Sequence, residues 1–342
     1  MKDRARILSD LVLEVNDLSI DYETSQGTVH ALDSLSLTIE RRSLIAVVGE
    51  SGCGKTSLGL GVIGLLSTPP AKYTHGRIIY KDVNLLELDK EEFRRYRGTE
   101  IAMIFQEPIT SLNPVYKIAD QIEEAIEIRD SRIRDSARPG HGIKSDSRSR
   151  RKEIIASLNM VRIPDAENVA NRYPFELSGG MRQRVMIAMA LAQKPSLLLA
   201  DEPTTALDVT TQAQTLKLMR NLMNEVNTSI LLITHDLAVA SQAADKVAVM
   251  YGGQIVEEAE VNELFSKPLH PYTQGLLSCI PTGTKAKGRL KPIQGNVLDL
   301  RENLNQCKFA PRCPYVMEKC WKGKPTLQAV TAEHRVACYL HA

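Results

Sequence analysis

Apolar and polar positions alternate from residue 11 to residue 39, in LVLEVNDLSIDY and again in VHALDSLSLTI, with the turn-forming SQG between them. Alternation puts every second side chain on one face of an extended chain, so this region reads as antiparallel strands. The pattern then changes. SLIAVVG (43–49) is a short unbroken apolar run ending in glycine, as expected of a strand buried on both faces that feeds a loop. SLLLAD (196–201) and SILLITHD (229–236) repeat the type, each beside a helical pattern, and predict an α/β core around a parallel sheet. Between the first two of these runs, KIADQIEEAIEI and RKEIIASLNMV space their apolar residues at helical intervals, which predicts an inserted helical subdomain at about 108–175.

Composition adds limits to this picture. The 342 residues suit one large domain and a smaller appendage, and 43% hydrophobic with 25% charged residues is the balance of a soluble globular protein. A net charge of +2 gives no reason to expect nucleic acid as a partner. No apolar run approaches the roughly 20 residues of a membrane-spanning helix, and the opening MKDRARILSD does not resemble a signal peptide, so a cytoplasmic location is expected. In that reducing compartment the six cysteines, at 53, 279, 307, 313, 320 and 338, are not expected to form a disulfide framework; metal binding, catalysis and packing stay open. Residues 129–152 carry nine Arg or Lys against three Asp, interleaved with Ser, Gly and Pro. This composition reads as a flexible solvated loop, or else as a basic arm for anionic lipid or a partner.

Three motifs carry chemistry. GESGCGKTS (49–57) has the spacing of a phosphate-binding loop between a buried strand and a helix. In it Gly49, Ser51, Gly52, Cys53, Gly54 and Ser57 shape a cradle of backbone N–H groups, Lys55 supplies positive charge and the Thr56 hydroxyl can ligate Mg²⁺. Alkylation of Cys53, inside this loop, is expected to block ATP binding. LLLADEP (197–203) ends a buried strand in two acids: Asp201 for the Mg²⁺ shell and Glu202 to polarise the attacking water. LSGGMRQ (177–183) opens a helix with Ser178, Gly179 and Gly180, a second anion-seeking N-terminus in a chain that already has a phosphate loop. A second phosphate reader points to a second subunit.

Together with Gln106, with Asp208 in TALD and with His235 in ITHD, these motifs resemble the nucleotide-binding subunit of an ABC transporter. The resemblance implies an α/β ABC-type P-loop nucleotide-binding domain with an antiparallel β subdomain, a helical subdomain and a small cysteine-rich C-terminal extension. It also implies two such subunits sandwiching two ATP molecules, each held by the phosphate loop of one and the signature stretch of the other, which includes Gln183. Tyr22 matches the aromatic that stacks on adenine, Gln106 the glutamine that senses the γ-phosphate and sits by the Mg²⁺, His235 the histidine at the γ-phosphate, and Asp208 the aspartate linking the two sites. Lys55, Gln106, Glu202 and His235 would be the catalytic set.

FQEPITSLNP (105–114) and KPLHPYTQGLLSCIP (267–281) resemble the oligopeptide and dipeptide importer branch. This resemblance implies an ATPase domain at 11–265 and an extension at 266–342. It also implies a peripheral place on the cytoplasmic face of the membrane with two permease subunits, a second ATPase subunit and, indirectly, an extracytoplasmic solute-binding protein. Extensions of this branch carry four cysteines, and Cys307, Cys313, Cys320 and Cys338, separated by five, six and seventeen residues, fit that spacing. A [4Fe–4S] cluster is the implied occupant, with zinc or no metal as alternatives. The rival class is a soluble ABC ATPase acting on ribosomes or nucleic acid.

Overall fold

The structure, a computed structural model, describes residues 10–106, 111–136, 147–205, 208–280, 292–302 and 304–341. The chain divides into two compact units, one formed by 1–87 with 232–342 and the other by 88–231.

The first unit opens with the long strands β1 (Leu11–Thr24) and β2 (Gly27–Glu40), paired antiparallel. In β1 the buried positions run Leu13, Val15 and then Leu18, Ile20. The one-residue change of phase falls at Asn16–Asp17, where the register shifts and Asp17 adopts a φ of 49°. A bulge there keeps both halves of the strand facing the core. The buried run β3 (Leu44–Val48) follows, and the next helix is α1 (Lys55–Val62). Strands β4 (Ala71–Tyr80) and β5 (Val83–Asn84) complete a four-stranded sheet of order β2-β1-β4-β5.

The second unit contains α2 (Lys90–Tyr96) and β6 (Ile101–Ile104). Then come α3 (Ile118–Ser136), α4 (Ser147–Met160), α5 (Ala166–Ala170) and α6 (Gly179–Ala192). The fully buried β7 (Leu197–Asp201) pairs parallel with β6, and α7 (Val209–Val226) follows. Helices α3 and α4 correct the reading of 129–152 as a flexible loop: its described ends, 129–136 and 147–152, are helical. Two of the cations there are paired with acids. Arg129, 11% exposed, reaches Asp130 at 2.6 Å and Glu153 at 2.7 Å, and Arg150 reaches Asp130 at 2.7 Å. Ion pairing and the burial of Ile122, Ile126, Ile154 and Leu158 on the same helices give the segment the support that its overall composition conceals. Residues 137–146 lie outside the described residues.

Strand β8 (Ser229–Thr234) carries the chain back to the first unit. There α8 (Leu237–Ala243), β9 (Lys246–Tyr251), β10 (Gln254–Glu260), α9 (Val261–Ser266) and α10 (Pro271–Ser278) follow. Strand β3 runs parallel to β9, pinned where the Asp245 carboxylate accepts from the Leu44 N–H at 2.8 Å. The short strands β11 (Gln328–Ala329) and β12 (His334–Val336) extend this sheet in the order β11-β12-β10-β9-β3, so part of the cysteine-rich tail is built onto the core sheet. Residues 281–291 lie outside the described residues.

Candidate functional site

Strand β3 delivers the chain into residues 49–54, a turn that only its glycines permit. Gly54 has a φ of 105° and a Cβ there would lie 2.2 Å from the Ala31 carbonyl oxygen; a Cβ on Gly49 would lie 2.2 Å from that of Met250. The N-terminus of α1 has no side-chain cap, leaving its first amides for an anion. Lys55 is buried, and its Nζ donates to the Gly49 carbonyl at 2.8 Å and to the Glu50 carbonyl at 3.0 Å. The ammonium is thus held against the loop it would serve. Ser51, Gly52 and Thr56 are exposed, so the Thr56 hydroxyl is accessible to a cation. Cys53 is buried, and burial pushes its thiol above the usual range. The Tyr22 hydroxyl donates to the Ser57 Oγ at 3.2 Å, which places that aromatic beside the first turn of α1.

In the second unit, β7 ends in the buried Asp201, and Glu202 follows with a φ of 46°. The Glu202 Oε2 accepts from Gln106 Nε2 at 3.1 Å and from the Thr205 hydroxyl at 2.9 Å. Residues 96 positions apart in sequence are therefore in direct contact. Ser178 caps α6 by accepting from the Met181 N–H at 3.3 Å, and Asp208 caps α7 by accepting from the Thr211 N–H at 3.0 Å and its hydroxyl at 2.7 Å. Those bonds hold the Asp208 carboxyl below its ordinary value. An open groove of about 530 Å³ joins the two caps, lined by Ser178, Gly179, Gly180, Arg184, Asp208 and Thr211. Gln183 is 2% exposed and is not among the residues lining the groove, since five positions after the cap the helix has turned it inward. Ala206 and Leu207, inside TALD, lie outside the described residues. In the first unit, His235 is exposed just after β8, next to Asp236, whose carboxylate caps α8 by accepting from the Ala238 N–H at 2.7 Å.

The tail is tied to the first unit through residues that the sequence did not mark. Phe309 packs on Tyr251, Tyr272 and His270, with ring centroids 5.2, 5.4 and 5.7 Å away. Burial keeps His270 neutral, its pKa pushed down to about 3. His334 on β12 bridges Glu257 at 2.7 Å and Glu263 at 3.2 Å. Arg312 forms a two-pronged ion pair with Glu50 of the phosphate-binding loop. Tyr272 belongs to HPYT, which had only a resemblance to mark it, and nothing local marks Arg312.

Cys307, Cys313, Cys320 and Cys338 are thiols in one electrostatic neighbourhood. Burial, then the nearby Cys320, Cys338 and Cys313, push Cys307 up to about 11, and burial likewise raises Cys313 and Cys338. Among the described residues no group of three or more His, Cys, Asp or Glu is arranged to hold a metal ion.

The sequence model described as "ABC transporter" matches residues 32–205, and that described as "Oligopeptide/dipeptide transporter, C-terminal region" matches 256–320. The chain is 46% identical over 331 residues to the oligopeptide transport ATP-binding protein AppD of Bacillus subtilis, covering 96% of this chain and 97% of that protein. It is 43% identical over 340 residues to a probable peptide ABC transporter ATP-binding protein, y4tR, of Sinorhizobium fredii, covering 99% and 98%. Among solved structures, the ATP-binding cassette MJ0796, a dimer bound to ADP and Pi in a post-hydrolysis state, superposes with a TM-score of 0.61 at 26% identity, over 73% of this chain and 98% of that one.

Proposed function

The chain belongs to the ABC transporter family of ATP-binding subunits, and from that premise we propose that it hydrolyses ATP to power the import of di- or oligopeptides. The observation that carries the peptide reading is the match of residues 256–320 to the C-terminal region of oligopeptide and dipeptide transporters. In this reading the chain sits at the cytoplasmic face of a membrane against two permease subunits and pairs with a second ATPase subunit. Among the described residues no helix is long and apolar enough to cross a membrane, so the reading assigns the pore to those partners.

The proposed roles follow from the chemistry of each group. The amides of 49–54 and Lys55 take the phosphates, and Tyr22 takes the adenine. Thr56, Asp201 and Gln106 would hold Mg²⁺, which when bound neutralises charge on the phosphate oxygens. Glu202 accepts the proton of the attacking water; its bonds from Gln106 and Thr205 aim the carboxylate. His235 donates to the γ-phosphate. Ser178, Gly179 and Gly180 offer their groove to the nucleotide of the second ATPase subunit, with Asp208 at the same groove.

The four tail cysteines offer a donor set of the right count for a [4Fe–4S] cluster, with zinc second. Anaerobic purification followed by iron, sulfide and zinc assays tests it: about four irons and four sulfides per chain are expected, and a metal-free protein would overturn it. The transport reading is tested by isolating the tagged chain from native membranes. Recovery with two polytopic membrane proteins, and ATP-dependent peptide uptake in vesicles made from them, is expected. Recovery with ribosomes or nucleic acid would overturn it.

A further inference from the structure

Glu50 is the second residue of the phosphate-binding stretch, and three of its groups are fixed. Its carbonyl accepts from Lys55 Nζ at 3.0 Å. Its amide donates to the Tyr272 hydroxyl at 2.9 Å, and its carboxylate receives Arg312 Nη1 at 2.7 Å and Nη2 at 3.0 Å. The last two come from the C-terminal region, more than 200 positions away.

Arg312 is built in as an anchor. Its side chain is 4% exposed, its Nε donates to the Gln294 carbonyl at 3.1 Å and its guanidinium lies 5.8 Å from the centre of the Tyr251 ring. A second cation of the same turn, Lys308, pairs with Asp33 at 2.7 Å and donates to the Gly252 carbonyl at 2.6 Å. The next residue, Gly253, donates its N–H to the Cys53 carbonyl at 3.0 Å. The turn between Cys307 and Cys313 therefore touches the phosphate-binding loop directly through Arg312 and backs it indirectly through Gly252 and Gly253.

We infer that Arg312 is a positioning residue of the nucleotide site: it fixes Glu50 and cancels its negative charge beside the phosphates, so the C-terminal region sets the affinity for ATP. The physical reason is charge. A polyanion entering the loop meets a carboxylate on the loop itself, and in partly buried surroundings that repulsion is poorly screened. A guanidinium gripping both carboxylate oxygens removes the repulsion and fixes the loop in one arrangement, which a lysine ammonium cannot do as well.

The inference rests on the reading of 49–57 as the nucleotide site. The test uses the full chain and measures the Kd of a fluorescent ATP analogue with Mg²⁺ for the wild type, Arg312→Ala, Arg312→Lys, Glu50→Gln and the Glu50→Gln/Arg312→Ala double variant. Arg312→Ala should weaken binding about tenfold and Arg312→Lys by less, whereas removing the Glu50 charge in the Arg312→Ala background should restore affinity to within about threefold of wild type. A merely structural role would not produce that rescue. Arg312→Ala binding as tightly as wild type, or a loss that persists in the double variant, overturns the inference. A wild type that binds no nucleotide would instead sink the site reading itself.

Discussion

Cys53 shows how much a single side chain's surroundings decide. It lies in the phosphate-binding loop at 4% exposure, with its thiol raised by burial and its Sγ 2.9 Å from where a Gly49 Cβ would be. Both the scarcity of thiolate and the lack of room slow its chemistry. Iodoacetamide should therefore modify Cys53 more slowly than a free model thiol at pH 7, with complete modification abolishing ATP binding; mass spectrometry beside a nucleotide titration checks both halves. Full affinity after complete modification would show that the thiol does not border the phosphates. The residues of the phosphate loop were legible in the sequence because each acts through its immediate neighbours. Arg312 was not, because its partner Glu50 is 262 positions away and no short motif encodes that contact. The burial of Gln183 was not legible either: it belongs to a recognisable stretch, and helix geometry turns it into the core.

At the scale of elements, the buried strands β3, β7 and β8 announced themselves as unbroken apolar runs, because a strand covered on both faces needs no polar positions. Short β12 did not, since three residues carry no periodicity; its attachment comes from His334 set between Glu257 and Glu263. His334 and Glu257 are almost wholly buried, so His334→Ala should cost about 3 kcal/mol by leaving Glu257 without its ring partner. Chemical denaturation reads this directly, and an unchanged midpoint would mean that β12 contributes nothing to stability. The ends of 129–152 are helical for a related reason: composition counts charges, whereas the fold pairs them, as Arg129 and Arg150 do with Asp130.

The tail's second anchor is sensitive to acid. Burial alone would raise the Asp33 pKa, but the hydrogen bonds from Lys308 and Lys324 outweigh it and hold the carboxyl below its usual value. A carboxylate with a lowered folded-state pKa contributes stability above the unfolded value and loses it as pH falls through the folded one. Docking of residues 304–341 should accordingly loosen below about pH 4. Limited proteolysis across that range, with an acid-active protease, should show the tail cleaved first, and Asp33→Asn should flatten the pH dependence. Identical cleavage of both proteins at every pH would remove Asp33 from the account.

For the whole molecule, the family assignment, the phosphate-binding loop and the contact of Glu202 with Gln106 all point to ATP hydrolysis. The most direct test compares Mg²⁺-dependent ATP turnover and ATP binding in the purified wild-type chain and in Glu202→Gln. The variant should bind ATP as tightly as wild type while its turnover falls by about 100-fold or more. Turnover at the wild-type rate in Glu202→Gln would contradict this, because the carboxylate placed at the end of β7 would then take no part in the reaction.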